Sequence, residues 1–235
     1  MRSPSRARLS VDERRTQLLD LGRRLFNARP YDAISIDEIA AAAGISKGLL
    51  YHYFPSKRHF YVAVVRVGAE HVQRVTAVRP ELAPAAQLRQ SVDSFLTYVE
   101  KNAAAYGHLL RSGVGTDPEA SAIVEGTRRS MVDQVLRSIG LVDGRPAVRL
   151  AIRGWVGFAE GVTLDWADRR DVPRREVLRM LVTAFENTLA LAATADPRHA
   201  PQLTQILTAL RSPTAKNDTP KPRSRPKPTR RTTAA

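Results

Sequence analysis

Apolar side chains recur at three- and four-residue intervals along nearly the whole chain, the period of a helix with one buried face. No run alternates β-branched and polar residues around an Asn-Gly or Asp-Gly pair. Asp143-Gly144 has helical spacing on both flanks instead. The class predicted is all-α. Ser10-Val-Asp-Glu13 is a capping box, in which the Ser hydroxyl accepts from the Glu amide and the Glu carboxylate reaches back. It starts a helix near Val11 that carries Leu18, Leu21, Leu25 and Phe26 and ends at Arg29-Pro30, because proline disfavours helical geometry in the residue before it.

A second capping box, Ser35-Ile-Asp-Glu38, opens a very short helix from 36 to about 42. Gly44 suits the left-handed turn that ends it. Ser46 caps a third helix to about 53, Phe54-Pro55-Ser56 breaks it, and Ser56 caps a fourth that runs towards Val78. Two short helices joined by a Gly-containing turn, at about 34–53, match helix-turn-helix geometry. A protruding second helix, about 10–12 Å wide, fits the major groove of B-DNA.

The larger second part predicts helices from Pro84 to Lys101, 103 to 111, 117 to 139, 147 to 169, 173 to 194 and 201 to 211. Gly113-Val-Gly115 and residues 140–146 interrupt them. The two long helices near 147–169 and 173–194 are rich in apolar and small residues. A second apolar stripe on each points to self-association, and wide burial inside one subunit is the competing explanation.

Charge alters this picture at the two ends. The chain has 235 residues and a net charge of +14, and the excess lies in the first sixty residues and the last 24. Residues 212–235 hold five prolines and seven basic side chains, with no Leu, Ile, Val or aromatic residue. Such a segment cannot repay the entropy of folding, so a disordered tail is expected, either simply solvated or touching nucleic-acid phosphate. Residues 1–10 are expected to be a flexible basic terminus, with Arg2, Arg6 and Arg8 either frayed or reaching DNA. Cysteine is absent, which removes disulfides, thiolate metal sites and thiol nucleophiles. The sequence has no H-E-x-x-H pair, G-x-S-x-G elbow, P-loop or dinucleotide fingerprint, so no enzyme, cofactor or metal is expected. There is no run of eighteen apolar residues and no signal-peptide pattern, so a cytoplasmic protein with no membrane partner is expected.

The stretch from Ser35 to Lys57 resembles the DNA-binding signature of the TetR family of transcriptional repressors. The shared features are Tyr31, Ile39-Ala40, Ala43-Gly44-Ile45, Ser46-Lys47-Gly48, Leu50-Tyr51, Tyr53-Phe54 and Ser56-Lys57. The resemblance implies a DNA-binding domain at 11–71 and an effector-binding and dimerisation domain at 72–211. It implies a homodimer that holds a palindromic operator in double-stranded DNA and is released by a small apolar or amphipathic effector. Carried over by position, the implied DNA contacts are Ser35, Ser46, Lys47, Gly48, Leu49, Tyr51, His52 and Lys57. Ser35 and Ser46 cap helices whose N-termini face phosphate. Gly48 lets the backbone approach, and Lys57 clamps a phosphate. Many members read Tyr-Tyr-His-Phe where this chain reads Tyr51-His52-Tyr53-Phe54, and Leu49 stands where a polar base reader is common.

Within the second domain, Phe95, Tyr98, Tyr106, His108, Trp155, Phe158 and Trp166 are the candidate walls of an effector pocket. Arg111, Arg153 and Glu160 are its candidate polar anchors. Core packing is the competing role for each. Similar Gly-rich and Asp-Pro segments in TetR-like regulators of lipid metabolism point to an acyl or acyl-thioester effector. A drug-like amphipathic molecule is the alternative. A nonspecific nucleic-acid-binding protein driven by its basic tail is the rival to the whole reading.

Overall fold

The computed structural model describes residues 10–111, 117–141 and 146–212. The expected N-terminal arm, the Gly113–Gly115 break and the basic tail lie outside these residues, apart from Ser10 and Ser212 at their edges. Ten α-helices and no strand are found among the described residues. They are α1 (Val11–Ala28), α2 (Ile36–Ala43), α3 (Lys47–Tyr53), α4 (Lys57–Val75), α5 (Pro84–Lys101), α6 (Ala103–Arg111), α7 (Pro118–Ser138), α8 (Pro146–Arg169), α9 (Arg174–Ala195) and α10 (Ala200–Arg211).

Both capping boxes form as the spacing predicts. Ser10 Oγ accepts from the Glu13 amide at 3.1 Å, and Glu13 accepts from the Ser10 amide at 2.8 Å. The Ser35–Glu38 pair repeats this at 3.1 and 2.7 Å. Gly44 ends α2 in the left-handed region, at φ 64, where a side chain would be strained. A single-turn 3-10 helix, Tyr31–Ala33, fills the bend after Pro30 and has no counterpart in the sequence reading.

The fourth helix stops at Val75 rather than Val78. Pro80 has no amide to offer the Thr76 carbonyl, which is taken by Gln134 Nε2 at 2.7 Å instead. The Thr76 hydroxyl turns back to donate to the Val72 carbonyl at 2.8 Å.

One core cluster gathers α1 to α4 around Leu18, Phe26, Ile34, Ile39, Leu50 and Phe60, and Ala120 of α7 joins it. Aromatic rings seal it: Phe26 lies 5.0 Å from Tyr61, and Phe54 lies 4.9 Å from Phe60. A second cluster joins α7, α8, α9 and α10, and a third joins α5, α8 and α9. The boundary drawn at 71/72 falls inside α4, which continues without a linker from the small N-terminal head into the larger body.

Candidate DNA interface and effector cavity

The local sequence explains why α3 presents its residues to solvent. Leu50 is fully buried and Phe54 nearly so, and these two anchors fix the roll of a seven-residue helix. With Leu50 inward, Lys47, Gly48, Leu49, Tyr51 and His52 are all exposed. Leu49 is 41% and Tyr51 40% exposed, a large uncovered apolar area for so short an element. Ser46 caps α3 by accepting from the Leu49 amide at 3.2 Å. A Cβ added at Gly48 would meet nothing within 4 Å, so the fold itself places no demand on glycine there.

The two lysines are held by internal partners. Lys47 Nζ lies 2.9 Å from Asp37, whose hydrogen bond raises the ammonium's pKa. Lys57 Nζ stands 4.0 Å above the centre of the Tyr31 ring, a cation–π contact. Ser35 is exposed at the start of α2, and Tyr53 is half-buried, with the His52 ring 5.5 Å away. Glu38 closes the capping box and also accepts from Arg29 at 2.8 Å, tying the end of α1 to α2. The Ser35 amide and then Arg29 hold its carboxyl down to about 2.

A long-range contact that sequence spacing could not reveal joins head to body. Arg58, in the first turn of α4, reaches Asp117 with Nε at 2.5 Å and Nη2 at 3.0 Å. Asp117 is also the N-cap of α7, accepting from the Glu119 and Ala120 amides at 3.0 Å. Glu119 adds contacts to Arg58 at 3.4 Å and Arg66 at 3.3 Å.

The body holds an apolar cavity of about 380 Å³ that is partly open to solvent. Phe95 and Trp155 lie on its wall, and the Trp155 indole N–H donates to the Leu181 carbonyl at 3.0 Å. Leu88, Met131, Val135 and Ile206 add apolar surface, and Gln87, Gln134 and Gln205 supply polar edges that the sequence reading did not anticipate. A smaller chamber of about 100 Å³ holds Tyr98, Tyr106 and His108 on its wall. Burial raises the phenols of Tyr98 and Tyr106, the latter well above the ordinary tyrosine range.

Glu160 touches both spaces. Arg128 Nε contacts its two oxygens at 2.8 and 3.0 Å, and burial nonetheless raises its carboxyl pKa. Arg153 instead reaches Glu125 at 3.1 Å and lies on neither wall. Two expected wall residues are placed elsewhere. Phe158 points outward, 43% exposed, and Trp166 is packed in the core with its N–H donating to the Val172 carbonyl at 2.8 Å. Their helix, α8, turns one face to the cavity and these two positions away from it. The Arg111 side chain lies outside the described residues.

Exposed residues continue on the outer faces of α8 and α9. Leu150, Gly154, Gly157, Phe158 and Gly161 follow one another at helical spacing, and Met180 and Leu191 do the same on α9. α9 is long and apolar enough to cross a membrane by length and composition alone. Its Val177, Leu181, Phe185 and Leu189 are buried within the body.

A helix-turn-helix head with an exposed short helix, on an all-helical body with an apolar cavity, defines a class of cavity-bearing DNA-binding proteins. Comparison with known proteins narrows it. The family model for bacterial regulatory proteins of the tetR family matches residues 18–64, and that for the tetracyclin repressor-like C-terminal domain matches residues 84–187. The crystal structure of a tetR-family transcriptional regulator from Streptomyces coelicolor superposes with a TM-score of 0.80 at 30% identity, covering 86% of this chain and 91% of that one. The chain therefore belongs to the TetR family. The HTH-type transcriptional activator FasR of Mycolicibacterium smegmatis is 34% identical over 146 residues, 60% of this chain and 66% of that protein. The HTH-type transcriptional repressor KstR2 of Rhodococcus jostii is 45% identical over 53 residues, 23% of this chain and 26% of that protein. The matched stretch thus spans just under two thirds of the first of these curated relatives and about a quarter of the second.

Proposed function

We propose that the protein is a homodimeric, ligand-responsive transcriptional regulator that holds a palindromic operator with two copies of α3 and releases it when an effector fills the body. The carrying observation is the row of exposed residues from Lys47 to His52 around a buried Leu50. Tyr51 and Lys57 contact phosphate, Leu49 meets a thymine methyl, and Gly48 leaves room for the sugar-phosphate backbone. Ser35, Ser46, Lys47 and His52 complete the contact set. The sign of control depends on where the operator lies relative to the promoter. Release of a repressor is the form we favour, although one relative is named an activator and another a repressor.

Residues 11–71 form the DNA-binding part and residues 72–211 the effector and dimer part. The outward stripe of Leu150, Phe158, Met180 and Leu191, with glycines between, is the dimer surface. Phe95, Tyr98, Tyr106, His108 and Trp155 line the effector space, whose size is that of a ligand pocket. An acyl or acyl-thioester compound is the effector proposed. Action on DNA places the protein in the cytoplasm, and the function requires no catalysis.

The test is fluorescence anisotropy with the bound promoter fragment. Tyr51→Ala is expected to weaken operator binding about tenfold with an unchanged melting temperature. Full affinity in that variant overturns the interface. Deletion from Ser212 onward should leave specific binding in place, and loss of specificity on deletion would favour a tail-driven nonspecific binder. A monomeric mass in analytical ultracentrifugation at micromolar protein would overturn the dimer.

A further inference from the structure

The face that α1 buries through Leu18, Gly22 and Phe26 runs one turn further towards the N-terminus, to Arg15. An apolar residue would continue the row. An arginine stands there instead, and it is exposed. Its guanidinium carbon lies 5.4 Å from the centre of the Phe54 ring. Phe54 is the C-cap of α3, its amide donating to the Leu50 carbonyl at 2.9 Å, and Phe60 meets its ring edge-on at 4.9 Å. Arg15 is therefore seated at the rim of the head, beside the end of the helix that exposes Tyr51 and His52.

Lys57 is seated in the same manner, its ammonium 4.0 Å above Tyr31, whose ring is backed by Tyr61 at 5.0 Å. No carboxylate among the described residues forms an ion pair with Arg15 or Lys57. Arg23, Arg29, Lys47 and Arg58 each have one, in Asp20, Glu38, Asp37 and Asp117. The two kinds of partner leave different things for a ligand. A carboxylate offsets the cation and must be displaced before a phosphate can take its place. An aromatic face holds the cation through its quadrupole and leaves the charge in full. It also limits the wandering of a long side chain, so less freedom is lost when an anion arrives.

We propose that Arg15 is a further DNA contact of the head, a phosphate-binding residue held ready on Phe54 as Lys57 is on Tyr31. This rests on the reading of α3 as the element that meets DNA. It extends the contact surface from α2, α3 and the start of α4 to the second turn of α1, which the local motifs of the head do not mark.

The experiment is an anisotropy titration of the full chain on the bound promoter fragment across a range of salt. Arg15→Met keeps an unbranched side chain over the Phe54 ring and removes the charge. Affinity at low salt should fall about fivefold with an unchanged melting temperature, and the slope of log affinity against log salt should shrink by about 0.9 for each protomer on the duplex. Arg15→Lys, which keeps the charge, should restore the slope. The fold-loss should be the same on a duplex of unrelated sequence, because a phosphate contact carries no base information. An unchanged slope in Arg15→Met gives the residue a packing role only and overturns the proposal. A loss confined to the promoter sequence, or a slope that Arg15→Lys does not restore, overturns it too. Lys57→Met and Tyr51→Ala are titrated in parallel. If they weaken binding and Arg15→Met does not, the Arg15 contact falls and the α3 interface stands. If none of the three weakens binding, the reading of α3 falls.

Discussion

Gly22 in the head and Ala159 in the body both carry the smallest of side chains on a buried helix face, and their surroundings are opposite. Where α1 crosses α4, a Cβ built on Gly22 would come within 2.6 Å of both Phe60 Cζ and Val64 Cγ2. Phe60 is fully buried and Val64 nearly so, and neither has space to retreat. Ala159, on α8, borders the 380 Å³ cavity. The head is packed to hold one arrangement of short helices, as presentation of a rigid α3 requires. The body keeps space that a ligand can occupy.

Filling the two places separates them most sharply. Gly22→Ala should cost about 2 kcal/mol in a denaturant melt and weaken operator binding in step. Ala159→Leu should stay within about 1 kcal/mol of the parent because the cavity accepts the added volume, and it should abolish the effector response. Equal destabilisation by both would end the contrast.

A smaller effect sharpens the view of the head as preset for DNA. Lys47 is held by Asp37 at 2.9 Å before any phosphate arrives. Asp37→Asn removes a competitor for that ammonium and a charge repelled by DNA. Operator affinity should rise about threefold at low salt in an anisotropy titration, and the gain should fade as salt is added.

The smallest effect concerns pH. The folded head holds Glu38 at about 2 against an ordinary value of 4.5, so this group binds its proton less readily when folded. Its stabilising contribution is complete above pH 4.5 and is lost as the pH falls towards 2. Glu38→Gln should therefore flatten the fall in melting temperature across that window. An unchanged acid limb would show that the capping box contributes nothing there.

The head was legible in the sequence because its signals are local. Ser10 to Glu13, Ser35 to Glu38 and the Gly44 turn each act within four residues, and each forms as its spacing requires. The exposure of α3 was legible too, since burying Leu50 and Phe54 leaves Lys47, Leu49 and Tyr51 outward. The end of α4 was missed because Val78 continues the apolar period, whereas the deciding facts were Pro80 and Gln134, a glutamine 58 residues beyond Thr76. In the body, periodicity marks apolar positions without saying which empty space they face. Phe95 and Trp155 border the cavity while Phe158 and Trp166, equally aromatic and on the same helix as Trp155, do not. The Arg58–Asp117 pair, 59 residues apart, had no local signature at all.

One carboxylate, that of Asp117, terminates a helix of the body and at the same time grips a guanidinium at the root of the helix that follows the reading element. Swivelling α7 by even a fraction of a turn must either drag the base of α4 along or strip two amides and a cation of their shared acceptor. The joint is reinforced by Glu119 on Arg58 and Arg66 and by Ala120 in the core of the head, so a disturbance of α7 is felt directly at the root of the helix that follows α3.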